Sequence, residues 1–240
     1  MRNFVLFFLF CSILQINAQS RRTTEENTQR RSGVNDTSVL SKRQNTRLLF
    51  AIPGGPAEIP EEKKTKEPGI PQLIMGKGEI GVEQLVSFLL EENKDADRAF
   101  VETLAALYVA EAEREGVNHD IAFVQMCLET GFLRFGGLVI PEMNNFCGLG
   151  AIGAGITGEW FPTAELGVRA HIQHLQAYAT DQPLQGELAD PRYHFVRRGS
   201  SPSIQGLAGS WAADKLYAEK IEGILQRLYR APKQQASAVF

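Results

Sequence analysis

One carboxylate in this sequence stands where a carboxylate is costly. Glu129 closes a segment whose apolar residues, Ile121, Val124, Met126, Cys127 and Leu128, surround a helical axis rather than forming one stripe. That is the pattern of a helix buried on all sides. A carboxyl group placed there is penalised in its charged form, so its pKa should rise. A carboxyl that keeps its proton near neutral pH suits general-acid chemistry. Glycosidic cleavage needs such an acid, which protonates the departing oxygen while an oxocarbenium-like centre develops. The competing reading is a glutamate at a frayed helix end, or one paired with Arg134.

Other reactive residue types carry weaker signals. His171 and His174 share a helical face at i and i+3. No third ligand has a suitable spacing, so they are expected in packing or in a groove wall, with no metal and no cofactor. Cys127 and Cys147 could form one disulfide or remain small buried apolar residues. Their spacing fits no zinc site.

The elements that must position Glu129 are helical. Val82, Leu85, Val86, Leu89 and Leu90 recur at helical spacing. Asp97 can cap a second helix carrying Phe100, Leu104, Leu107, Tyr108 and Glu111 on one side, and Gly116 can end it. Asn118 can cap the third, which holds Glu129 and which Gly131 can stop. Glycines and asparagines between Gly136 and Gly158 predict a loop, with room for a small hairpin. Helix returns from about Thr163, with His171, His174 and Tyr178 along it; a loop spans 181–209, and a last helix starts near Ala213. The predicted class is mainly α.

Around this domain the composition changes. Arg2 followed by an apolar run from Phe4 to Ile16, with Ala18 at a plausible cut, predicts a cleaved signal peptide over 1–18. The run is too short to span a bilayer comfortably. Export to the periplasm or beyond the cell is expected, without stable membrane insertion after cleavage. Residues 19–75 read as a disordered polar tail and a Pro/Gly linker, in which only Leu48–Ile52 could dock as a strand. The domain is expected over 76–231, with a short tail over 232–240. The net charge of −3 argues against a dedicated nucleic-acid binder.

Three segments carry a family resemblance. Glu129-Thr130-Gly131-Phe132 resembles the Glu-Ser/Thr-Gly-aromatic segment that ends the catalytic helix of lysozyme-like glucosaminidases and transglycosylases. Asn144 to Leu149 resembles the Asn-Asn-aromatic-x-Gly-hydrophobic segment that follows it. The stretch from Trp211 to Ile221 resembles the late Tyr-Ala-Thr-Asp-x-x-Tyr-Ala-x-Lys-Ile segment. Together, and in the family's order, they resemble the bacterial endo-β-N-acetylglucosaminidases of glycoside hydrolase family 73.

The resemblance implies a lysozyme-like helical domain with a small glycine-rich loop or β lobe after the catalytic helix. It implies an enzyme cutting N-acetylglucosaminyl β-1,4 bonds in peptidoglycan or a related amino-sugar glycan; a monomer is expected. Glu129 would be the proton donor. Asn145 and Phe146 would line the glycan groove, although a turn and its core anchor would also explain them. The family's second carboxylate lies on the lobe, where Glu159 is the first candidate and Glu142 the other; the substrate's acetamido group could serve instead. An inverting pair would stand ~6.5–9.5 Å apart. Trp160 and Phe161 suit stacking on sugar or a hairpin core. Trp211 stands where the family often has a tyrosine, so a role needing that hydroxyl would fall to Tyr178 or Tyr193. Arg169, Arg197 and Arg198 could meet anionic glycan groups or remain solvated. Two other functions share these residues: a lytic transglycosylase using the same glutamate, and a non-catalytic glycan-binding or adhesion module.

Overall fold

The computed structural model describes residues 69–151 and 157–232. The expected signal peptide, most of the expected tail, the Leu48–Ile52 run and residues 233–240 lie outside the described residues. Among the described residues the protein is mainly α, with helices α1 (Val82–Glu92), α2 (Arg98–Glu115), α3 (His119–Thr130), α4 (Ala164–Ala179), α5 (Ile204–Leu207) and α6 (Tyr217–Arg230). No strand occurs among them, and none of these helices is long and apolar enough to cross a membrane.

Local chemistry sets the ends of the helices. The Asp97 side chain accepts from Phe100 N–H, Asn118 Oδ1 from Asp120 and Ile121 N–H, and Thr163 Oγ1 from Leu166 N–H. Each supplies an acceptor for an N–H that the first turn leaves unpaired. Gly116 and Gly131 close α2 and α3 with left-handed φ of 70° and 59°. The last helix begins at Tyr217 rather than near Ala213, because Asp214 turns the chain first: its carboxylate accepts from Leu216 N–H at 2.9 Å and its carbonyl from Tyr217 N–H at 3.2 Å.

Helix α3 is the centre. It packs on α2, α4 and α6, and Ile121, Phe123, Val124, Met126 and Cys127 are fully enclosed. The apolar residues all round its axis are thus explained by neighbours on several sides. Burying its larger side chains contributes ~1.5–3 kcal/mol each. The packed chain also starts earlier than position 76. Ile74 is fully buried, its N–H donates to Pro202 O, and its carbonyl accepts from Asn118 N–H.

The chain leaves α3 through an unusual turn. Gly131, Phe132, Leu133 and Phe135 all have positive φ, which costs a non-glycine residue ~1–2 kcal/mol. Compensating bonds hold the turn: Leu133 N–H to Thr130 Oγ1 at 2.9 Å, Phe135 N–H to Thr130 O at 2.8 Å, and Asn93 Nδ2 to Phe132 O at 2.8 Å. The following loop is pressed onto α4 at Gly167. A Cβ there would come within 1.8 Å of Asn144 O. Cys127 and Cys147 are both buried and are not joined to each other in a disulfide, and burial pushes the Cys127 pKa up.

Candidate active site

Glu129 lies in the last turn of α3, where the helix dipole disfavours negative charge. Trp211 Nε1–H donates to its Oε1 at 3.2 Å, and the Tyr217 hydroxyl donates to the same oxygen. A Cβ on Gly148 would sit 3.9 Å from the other oxygen, Oε2. That oxygen therefore faces the loop's glycine. Desolvation by the surrounding core outweighs both hydrogen bonds and the charge of Lys220, and raises the Glu129 pKa to about 7. Arg134 does not pair with it; its guanidinium donates to the carbonyls of Gly131 and Glu92.

Gly148 belongs to a short loop that joins the two candidate carboxylates. Its φ of 67° is left-handed, and so is the 77° of Gly150, a conformation glycine adopts without a Cβ clash. A Cβ at Gly150 would lie 2.9 Å from Glu159 Oε1. Glu159 keeps 35% of its side chain exposed and stands 3.7 Å from Arg192. Trp160 beside it is 59% exposed. A recess of about 20 Å³, room for roughly one water, is lined by Gly148, Gly150, His174, Tyr178, Arg192 and Trp211. The larger concavity, about 460 Å³, lies between α1 and the end of α6 and contains none of the candidate residues. Chemistry, not volume, marks the site.

A central helix ending in a desolvated glutamic acid, faced by a glycine loop and held by a late aromatic segment, repeats the order of the three resembling segments. Residues 105–230 match the family described as mannosyl-glycoprotein endo-beta-N-acetylglucosaminidase. The chain belongs to the glucosaminidase family. It is thereby a glycosidase of the kind that acts on glycans such as peptidoglycan. An uncharacterized protein of Borreliella burgdorferi (strain B31) is 46% identical over 163 residues, covering 68% of this chain and 79% of its own. No solved structure matches the chain significantly.

The glucosaminidase brings Glu129, Trp211 and Tyr217 together but turns two expected groove residues inward. Asn145 is 1% exposed and its amide is spent on the loop. Nδ2 donates to the carbonyls of Leu149 and Glu159 at 2.9 and 3.0 Å, and Oδ1 accepts from Leu149 N–H at 2.9 Å. Phe146 is fully buried against Phe100, with ring centroids 6.3 Å apart. The turn-and-anchor reading therefore replaces the groove-lining one, because an enclosed ring offers no face to a sugar. Trp211, 3% exposed, likewise meets the acid rather than bulk solvent. Phe161 is buried, while Glu142 is exposed on the 3-10 turn Pro141–Met143.

The hydroxyl expected from Tyr178 or Tyr193 comes from Tyr217 instead. Tyr178 donates to Ser210 O and Tyr193 to Gln176 Oε1. Tyr217 was visible within the late segment, six residues beyond Trp211, but nothing in the spacing tied its hydroxyl to Glu129. His171 and His174 part company too: His171 bonds Tyr108 and Gln125, whereas His174 Nδ1 meets Asp190 at 2.8 Å. Arg169 is tied to Glu111 at 2.9 Å and to Glu165. No group of three or more metal-ligating side chains forms among the described residues.

Proposed function

We propose that this glucosaminidase is an exported hydrolase that cleaves N-acetylglucosaminyl β-1,4 bonds in peptidoglycan, with Glu129 as general acid. The observation that carries this reading is the Glu129 carboxyl group itself, raised to about 7, with Trp211 and Tyr217 both donating to its Oε1. Half protonated near neutral pH, it can deliver its proton to the glycosidic oxygen as the C1–O bond breaks and positive charge gathers at the ring. Trp211 and Tyr217 then stabilise the carboxylate left behind. Its two hydrogen bonds favour the charged form, so they assist transfer after the core has favoured retention.

Glu159 is the second group in this proposal. It is partly exposed, lies across the Gly148–Gly150 loop and is oriented by Arg192. As an inverting base it would take a proton from the attacking water; Trp160 would offer its face to a neighbouring sugar. Export rests on the charged and apolar pattern of residues 1–18.

The test is mass spectrometry of muropeptides released by the purified protein and by Glu129→Gln. Products with a reducing-end N-acetylglucosamine, absent with the variant, support the proposal. Anhydro-muramyl ends would instead assign a lytic transglycosylase, and equal release by the variant would remove Glu129 from the chemistry.

A further inference from the structure

Tyr217 is not the end of the hydrogen-bonded path that leads away from Glu129. Gln125 Nε2 donates to the Tyr217 hydroxyl at 2.8 Å, Gln125 Oε1 meets His171 Nε2 at 3.1 Å, and His171 Nδ1 meets the Tyr108 hydroxyl at 2.8 Å. Tyr108, Gln125, His171 and Tyr217 come from α2, α3, α4 and α6, and all are 0% exposed. Polar groups this deep are costly unless each is satisfied. Here every one of the joining atoms has a partner.

The direction of each proton follows from the far end. The hydroxyl of Tyr108 makes no other hydrogen bond among the described residues. It must donate to Nδ1, or its proton would be buried without an acceptor. Burial keeps His171 neutral, with a pKa lowered to about 3. A neutral ring that accepts at Nδ1 carries its proton on Nε2. That N–H donates to Gln125 Oε1, which orients the amide so that Nε2 donates to Tyr217, and Tyr217 in turn donates to Glu129 Oε1.

We propose that Tyr108, His171 and Gln125 are positioning residues that commit Glu129 Oε1 to accepting, so that the transferable proton is carried on Oε2, the oxygen facing Gly148. This rests on the reading of Glu129 as the general acid. The same protons could be arranged in reverse. Glu129 would then donate from Oε1 to Tyr217, Tyr217 to a flipped Gln125 amide, Gln125 to His171 Nε2, and His171 Nδ1–H to Tyr108. In that state the acid's proton points into the core and cannot reach a sugar. Two features oppose it: the Tyr108 proton is stranded, and the donor-only Trp211 N–H is aimed at the same Oε1. The titratable groups facing Glu129 are Tyr217 and Lys220 of α6; those facing His171 are Tyr108 of α2 and His174 of α4.

Tyr108→Phe in the full chain removes the stranded proton and lets the path reverse. On solubilised peptidoglycan fragments kcat should fall about tenfold with KM unchanged. The alkaline limb of the kcat profile should move to higher pH, because Tyr217 is no longer committed to the charged form of Glu129. Wild-type kcat, or a fall in kcat with an unmoved limb, overturns the proposal. A second measurement needs neither a variant nor turnover. In the ¹⁵N spectrum of histidine-labelled wild-type protein, His171 should be the Nε2–H tautomer, and an Nδ1–H tautomer overturns the proposal even if Tyr108→Phe does not fold. If the wild type cuts no glycan, the functional reading fails separately, and the tautomer still decides the direction of the path.

Discussion

In the first turn of α3 the Asp120 carboxylate accepts from Glu79 N–H at 2.8 Å, Ile80 N–H at 3.2 Å and the Tyr229 hydroxyl at 2.6 Å. It does so at the helix end whose dipole welcomes negative charge. In the last turn of the same helix, Glu129 receives its two side-chain donors on one oxygen, at the end whose dipole opposes charge. Asp120 is completely enclosed, yet its donors reach both oxygens, and it ties the segment before α1 and the end of α6 to the central helix. Glu129 is partly exposed, yet its pKa is displaced to about 7. Burial alone does not mark a reactive carboxylate. Where the donors fall among the described residues, on both oxygens of Asp120 but together on Oε1 of Glu129, separates the two.

Exchanging the two roles by mutation gives the largest expected effects. Glu129→Gln should lower the rate of glycan cleavage by about 10³-fold, with a urea midpoint equal to wild type or higher. Asp120→Ala should cost roughly 3 kcal/mol or more of stability, since it strands buried donors, while its folded fraction keeps wild-type turnover. Similar losses of stability in both variants would erase the distinction between the two helix ends.

Stability against pH sharpens it further. The folded pKa of Glu129, about 7, lies above the ordinary 4.5. Its stabilising contribution is therefore complete below pH 4.5 and is lost as pH rises towards 7. His171 runs the other way: with a folded pKa of about 3 against 6.5, its contribution is complete above pH 6.5 and is lost as pH falls towards 3. Between pH 4.5 and 6.5 the two oppose each other. Glu129→Gln removes only the first, so its Tm should drop more steeply than that of wild type on acidification through this window; parallel curves would mean that Glu129 is solvated like a surface acid. A smaller effect is expected from Trp211→Phe, which deletes one donor from Oε1. Its alkaline limb of activity should rise by a few tenths of a pH unit, with turnover falling about threefold. Lys220→Met should raise the limb least, and an unmoved limb in both variants would show that neither group acts on Glu129.

What could be read from the sequence was local. Asp97, Asn118 and Thr163 cap helices, and Gly116 and Gly131 end them, because each acts within a few residues of itself. Glu129 was legible for a related reason: the apolar residues that desolvate it sit on its own helix. The pairing of Tyr217 with Glu129 spans 88 positions, and that of Gln125 with His171 spans 46, so neither leaves a periodic trace. Phe146 was ambiguous because an aromatic residue after two asparagines suits a sugar platform and a core anchor equally. The Leu73-Ile74-Met75 run was hidden by the prolines around it, although Ile74 is as buried as the helix cores. The family relationship, by contrast, could be read from three short segments, because their order along the chain survives without any knowledge of their contacts.

The seat of the Asn144 carbonyl on α4 has a wider meaning. With a Cβ at Gly167 only 1.8 Å from that oxygen, a single methyl group would lift the loop whose next turn carries Gly148 up to Glu129. How closely the acid is roofed is thus set on another helix, by an atom the chain leaves out. A designer wishing to widen the mouth of this enzyme, without touching any group that handles a proton, would begin there.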